Sequence, residues 1–220
     1  MAEVGWLDWP ACVNARDVGG LPIAGGGKTR AGALFRSDNH GRLTGVGISA
    51  VRSLGLSRIV DLRAETECAI APSPFRRDSA YRNVPLLNPY ESVEFPTLIE
   101  IYRSIVDRAA ARVATAIGTV VDAPAGPVLV HCHAGLDRTG IVVALLLSVA
   151  GVERDAVIAD YVARRPTWQR SITDTQPATM VSTLDYLDDH YGGARGYLSK
   201  NGLTAAQLDA ITSRLTAESA

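Results

Sequence analysis

Lysine is nearly missing from this chain. Of its 22 basic residues only Lys28 and Lys200 are lysine, and the rest are arginine. Arginine carries a planar fork that matches two oxygens of one phosphate, so the skew supplies many phosphate-capable groups. Cysteine is scarce as well, with three in 220 residues, far apart in sequence. Three cannot all pair, which argues against a disulfide framework and for a reducing compartment. Neither sign of charge prevails, since the formal net charge is −1. That balance gives no support to a nucleic-acid partner or a stable membrane association. The longest apolar run, residues 141–150, is too short to span a bilayer. The opening MAEVGWLDWP has neither the basic start nor the apolar core of a signal peptide, so a cytoplasmic protein is expected. There are no repeats, low-complexity tracts or charge blocks. What remains is ordinary for a globular chain, 47% hydrophobic and 20% charged, and one domain over residues 1–220 is expected.

The most informative stretch is Val128–Gly140, VLVHCHAGLDRTG. Residues 127–130 form a short apolar run of the kind a central parallel strand shows. Residues 141–150 are apolar all round, as in a buried helix. Between them lies a tight loop with Cys132 and, six positions on, Arg138. A helix N-terminus aimed at a loop offers unpaired N–H groups and a positive dipole end, which together make an anion site. Gly135 lets the backbone turn so that successive amides face inward. His133, Ala134, Gly135 and Leu136 would line the phosphate with those amides. Arg138 adds a fork for two phosphate oxygens. Such positive surroundings favour a thiolate at Cys132.

In chain order, two strand-like pieces near residues 14–18 and 33–36 flank a turn at Gly25-Gly26-Gly27. No Gly-Lys-Ser/Thr follows in Walker spacing, so the turn reads as a hairpin tip and not a nucleotide site. Residues 43–54 are helix-like, with Thr44 as N-cap and Gly55 as stop. Residues 57–62 are a strand ending in Asp61-Leu62-Arg63. A loop over 72–80, a strand over 81–86 and an irregular connection over 89–97 come next. Residues 97–122 carry one long amphipathic helical pattern. Helices are expected over 153–165, ending at Pro166, and over 177–190. Two short ones over 194–217 are split by Asn201-Gly202, with Thr204 as a cap. Strands come early and helices late, which implies an α/β core with a helical C-terminal part.

Asn14-Ala15-Arg16-Asp17-x-Gly19-Gly20, Phe35-Arg36-Ser37, Asp61-Leu62-Arg63-x-Glu65-x-Glu67 and the Cys132 loop together resemble one bacterial subfamily of cysteine-dependent tyrosine, dual-specificity and lipid phosphatases. Arg195-Gly196-Tyr197-Leu198 and Gly202-Leu203 resemble its ending, so the likeness spans nearly the whole chain. It implies a protein tyrosine phosphatase-like fold, a central mostly parallel sheet flanked by helices. It also implies metal-free, cofactor-free hydrolysis of phosphomonoesters through a phosphocysteine. Members often carry Lys just before the loop aspartate, a residue associated with phosphoinositide binding. Leu136 stands there instead. That favours a phosphorylated protein or small phosphomonoester over inositol lipids, with a phosphoinositide phosphatase or a non-catalytic phosphate-binding module as alternatives.

On this reading Cys132 is the nucleophile and Arg138 clamps the transferring group. Thr139 either donates to the thiolate or caps the helix. His131 supports the loop and does not transfer protons. His131 and His133 flank Cys132 but lack further ligands at zinc spacing, so no metal is expected. Asp137 leads as proton donor, because a bound dianion beside it disfavours its charged form. Asp61 is the second candidate, or else a carboxylate behind Arg138. Arg16, Arg36 and Arg63 are either rim cations for the substrate or framework partners of Asp17, Asp38 and Glu65 or Glu67. Cys68 is either ordinary packing or a disulfide partner for an oxidised Cys132.

Overall fold

The computed structural model describes residues 4–87, 97–163 and 176–216. Six strands form one sheet: β1 (Gly5–Trp6), β2 (Arg16–Asp17), β3 (Leu34–Ser37), β4 (Arg58–Asp61), β5 (Tyr81–Asn83) and β6 (Val128–His131), in the order β1-β2-β3-β6-β4-β5. The first two pair antiparallel, as does β2 with β3, and the remaining pairings are parallel. The chain is therefore an α/β protein with a mostly parallel sheet, as its sequence implies.

Strand β6 arrives late in sequence and inserts between β3 and β4. Both of its faces are covered. Val128 and Val130 join the larger core, while Leu129 joins a smaller one with Trp9, Phe35, Val51, Ile59 and Phe75. This double burial is why residues 127–130 read as an unbroken apolar run. Ser37, His131 and Asp61 lie side by side in register at the ends of β3, β6 and β4. Whatever follows those three residues gathers at one edge of the sheet, the place where ligands bind in open parallel sheets.

On the larger core's side lie α3 (Leu98–Arg108), α4 (Ala110–Val121), α5 (Asp137–Val149), α6 (Arg154–Val162), α7 (Pro177–Tyr191), α8 (Ala194–Lys200) and α9 (Ala205–Leu215). Helix α5 is buried around its whole circumference. Leu145, Leu146 and Leu147 are each about 1% exposed, and burying such a side chain stabilises by roughly 1.5–3 kcal/mol. Helix α1 (Gly45–Ser53) packs with the smaller core, capped by Thr44 and stopped by Gly55 at φ +62°.

Three expectations need correction. The run over 97–122 is two helices, broken at Ala109 (φ −102°, ψ 15°), although Arg108-Ala109-Ala110-Ala111-Arg112 holds no glycine or proline to mark a break. Helix α2 (Glu65–Ile70) was not anticipated; the Glu67 side chain stabilises its start by accepting from the Ala64 amide at 2.8 Å. Helix α5 begins four residues earlier than its apolar pattern, at Asp137 inside the loop. The connection over 89–96, Pro166 and Trp168 lie outside the described residues. No helix among the described residues is long and apolar enough to cross a membrane.

Candidate active site

The loop from Cys132 to Leu136 crosses the end of the sheet between β6 and α5. Its carbonyls are pulled outward. The Asn39 amide donates to His133 O at 3.0 Å, and Asn14 Nδ2 donates to Ala134 O at 3.1 Å and Gly135 O at 3.0 Å. Arg36 Nη2 adds a bond to Gly135 O at 2.7 Å. Among the described residues, the amides of His133, Ala134, Gly135 and Leu136 donate to nothing. Carbonyls tied back and amides left open make a ring of donors ahead of the α5 N-terminus, an anion cradle. Gly135 is required there twice over. Its φ is +68°, and a Cβ would lie 2.4 Å from Ser37 O.

Behind the cradle is a buried ionic scaffold. Asp160, on α6, accepts from Arg16 Nε at 2.9 Å and from Arg36 Nη1 at 2.5 Å. Arg16 also donates to Asn14 Oδ1 at 2.5 Å, which fixes the amide that holds the loop. Both arginines are fully buried. They are therefore not rim cations, and their partner is Asp160 rather than Asp17 or Asp38. Burial and the neighbouring Arg36 push the Arg16 guanidinium down to about 10. Two cations against one carboxylate leave a positive excess directly behind the loop.

A second scaffold supports Cys132 from β4. Asp61 is fully buried and accepts from Arg63 Nε at 2.9 Å, Arg63 Nη2 at 2.6 Å and Tyr81 Oη at 2.7 Å. His131 Nε2 lies 3.5 Å from its Oδ2. Burial raises the Asp61 carboxyl, but His131, Arg63 and Tyr81 outweigh it and hold the group well below the usual range. So Asp61 is a structural carboxylate and a poor proton donor near neutrality. Arg63 is its buried partner and no rim cation either. His131 packs against the fully buried His40, ring centroids 4.0 Å apart, with its Nδ1 3.3 Å from Cys132 O. Desolvation depresses both imidazoles. Cys68 Sγ contacts Asp61 Oδ2 at 3.6 Å, and burial followed by that carboxylate raises its thiol.

At the mouth, Arg138 is met by Glu67 of α2 in a two-point pair, Nη1 to Oε2 at 2.5 Å and Nη2 to Oε1 at 2.8 Å. Burial lowers the Glu67 carboxyl's tendency to ionise, yet the Arg138 bond overrides it and keeps the carboxyl below its ordinary value. This end-on pairing leaves the Nε edge of the guanidinium for other oxygens. Thr139 lies in the first turn of α5, and among the described residues its buried Oγ1 has no hydrogen-bond partner, so it does not cap the helix. Leaving a hydroxyl buried and unpaired costs about 1–3 kcal/mol. Asp137 Oδ1 accepts from Tyr102 Oη at 2.8 Å. Leu136 is buried, and His133 is largely exposed with Nδ1 3.9 Å from Glu67 Oε1.

A family model described as the tyrosine phosphatase family matches residues 7–217. The chain belongs to the tyrosine phosphatase family. It is a phosphatase of that type. A relative from Mycobacterium tuberculosis, named triple specificity protein phosphatase PtpB, is 28% identical over 91% of this chain and 95% of its own. A tyrosine-protein phosphatase from Nostoc commune is 27% identical over 84% of this chain and 74% of its own. The crystal structure of P. aeruginosa TpbA aligns with a TM-score of 0.44 at 16% identity, covering 90% of this chain and 95% of that one.

Geometry thus gathers Cys132, Asp137, Arg138 and Thr139 on one loop and helix start, and sets Asp61, Arg16, Arg36 and Arg63 behind it. The sequence offers Glu67 only as a framework partner for Arg16, Arg36 or Arg63, where the structure pairs it with Arg138, and it marks no role at this site for Asp160, Tyr102 or His40. Glu67 stands in the quoted Asp61–Glu67 pattern, which was the available signal. Asp160 and Tyr102 sit within ordinary helical spacing and carry no local mark.

Proposed function

We propose that this phosphatase hydrolyses phosphate esters of protein side chains, phosphotyrosine foremost, through a phosphocysteine on Cys132. The observation that carries the reading is the cradle: four open amides on the loop between Cys132 and Arg138, with the carbonyls of His133, Ala134 and Gly135 engaged elsewhere. The Cys132 sulfur attacks phosphorus in line, the S–P bond forms, and the P–O bond to the leaving group breaks. The leaving oxygen takes the proton of Asp137. Water then attacks the phosphocysteine, Asp137 takes up a proton from it, the S–P bond breaks, and inorganic phosphate departs. Amides and Arg138 stabilise the equatorial oxygens in both steps. Thr139 Oγ1 supplies the returning thiolate with a donor.

The names of the relatives, a triple specificity protein phosphatase and a tyrosine-protein phosphatase, support a protein substrate. A buried leucine at 136 adds no cation for further ring phosphates. Wild-type enzyme should cleave p-nitrophenyl phosphate in the presence of a chelator, and vanadate should block it. The Cys132→Ser variant should lose turnover while still binding phosphate. Turnover retained in that variant would sink the mechanism. Preference for phosphoinositides over phosphotyrosyl peptides in a substrate panel would sink the substrate assignment alone.

A further inference from the structure

Asp137 is held by a line of buried phenols. Tyr102, on α3, is fully buried and donates to Asp137 Oδ1 at 2.8 Å. Tyr161, on α6, is buried in turn and donates to Tyr102 Oη at 2.9 Å. The rings meet edge to face, centroids 6.0 Å apart at 78°. An ionised carboxylate has acceptors only, so Tyr102 must spend its hydrogen on Asp137, and its oxygen is left to accept from Tyr161. The order of donors is set from the carboxylate end. Burial, with Asp137 and Tyr161 adding to it, pushes the Tyr102 hydroxyl well above its usual range, so it stays protonated.

The same helix start is braced by contact. A Cβ on Gly140 would fall 2.9 Å from the Tyr161 ring. The first turn of α5 and Tyr161 are therefore packed as closely as glycine allows. Phenylalanine at 102 and 161 would fill the same core, and each buried hydroxyl costs free energy unless bonded. These hydroxyls bond each other and end on one loop carboxylate.

We infer that Tyr102 is a positioning residue for the proton donor, with Tyr161 holding Tyr102 in place. By occupying Oδ1, Tyr102 fixes the carboxyl plane. The inference rests on Asp137 being the acid. Among the described residues, the charged and titratable groups around this carboxyl include Tyr102 from α3, Tyr161 behind it from α6, Cys132 and Arg138 from the loop and first turn, and Glu67 from α2 through Arg138. Loss of the Tyr102 donor weakens the charged form of Asp137, so its protonated form persists to higher pH.

The test compares Tyr102→Phe, Tyr161→Phe, Asp137→Asn and Tyr102→Phe/Asp137→Asn on phenyl phosphate, a poor leaving group, and p-nitrophenyl phosphate, a good one. Tyr102→Phe should lower kcat/KM about tenfold on phenyl phosphate, as expected for one hydrogen bond to a charged group. It should change p-nitrophenyl phosphate little and move the alkaline limb of the pH profile upward. Tyr161→Phe should shift that limb the same way by less, which keeps the idea testable if Tyr102→Phe folds poorly. In the Asp137→Asn background, Tyr102→Phe should add nothing. A normal response to the leaving group in Asp137→Asn would refute the acid assignment itself. A normal effect of Asp137→Asn, with both tyrosine variants leaving the pH limb in place or slowing both substrates equally, would overturn the positioning role.

Discussion

Gly135 tolerates no side chain, because its left-handed φ and its 2.4 Å approach to Ser37 O act together. Gly135→Ala should therefore cost more than the ordinary ~1 kcal/mol of a glycine in strained backbone. It should show both a lowered urea midpoint and weakened vanadate inhibition. Unchanged inhibition would mean that the loop does not form the cradle. Glu67 invites a second test. Glu67→Gln keeps the shape and removes the charge that holds Arg138, so kcat/KM on p-nitrophenyl phosphate should fall about ten- to hundredfold with the circular dichroism unchanged. Wild-type kinetics would show that Arg138 orients itself. At this scale, Cys132, Gly135 and Arg138 were legible because loop chemistry constrains each residue type at a fixed spacing. Glu67 was visible only as part of a pattern, since an ion pair across 71 positions leaves no local trace.

Two elements hold the loop, and neither is the loop itself. Helix α6 presents Asp160 to Arg16 and Arg36, and β4 presents Asp61 to Arg63 and toward His131. Asp160→Asn leaves two buried guanidinium groups short of charge. It should destabilise the chain by about 3–5 kcal/mol, read from denaturant unfolding. Near-wild-type stability would show that the loop does not depend on α6. The stacked His40 and His131 give a pH signature. Burial depresses both rings in the fold, whereas in the unfolded chain they take up protons below roughly pH 6.5. Stability should thus fall on acidification through that region, by up to about 1.4 kcal/mol per pH unit for each ring. Urea midpoints at pH 7.5 and 5.5 would measure it, and His40→Gln should reduce the slope. A flat profile would mean that neither ring is held neutral in the fold. Helix starts with Thr caps were readable, as at Thr44 and Thr204. The break at Ala109 was not, because alanine and arginine around it favour helix and no glycine or proline marks it.

Across the whole molecule, three parallel strands end level and deliver the loop, the Asp61 turn and the Ser37 turn to one edge. The C-terminal helices, expected as a helical part, form a wall of the core. Tyr197 Oη donates to Val106 O at 2.8 Å, and Leu198, Leu208 and Ile211 are buried against α4 and α5. The α/β class was legible because strand and helix periods alternate early in the chain. Which strands neighbour each other was not, since β6 enters between β3 and β4 through contacts distant in sequence. An anion filling the cradle stabilises only the folded state. Vanadate at a hundred times its Kd should raise unfolding stability by about 2.7 kcal/mol, readable as a thermal shift. A shift that survives mutation of Arg138 to Ala at full size would place the anion elsewhere.

Glu67 Oε2 is shared by two donors, Arg138 Nη1 and the Ala64 amide at the head of α2. Any oxyanion that draws on the guanidinium loosens its claim on that oxygen and lets the amide take more of it. Ala64 thereby becomes a spectator with a view of the reaction, and its proton resonance should move downfield as the site fills, reporting turnover from outside the chemistry.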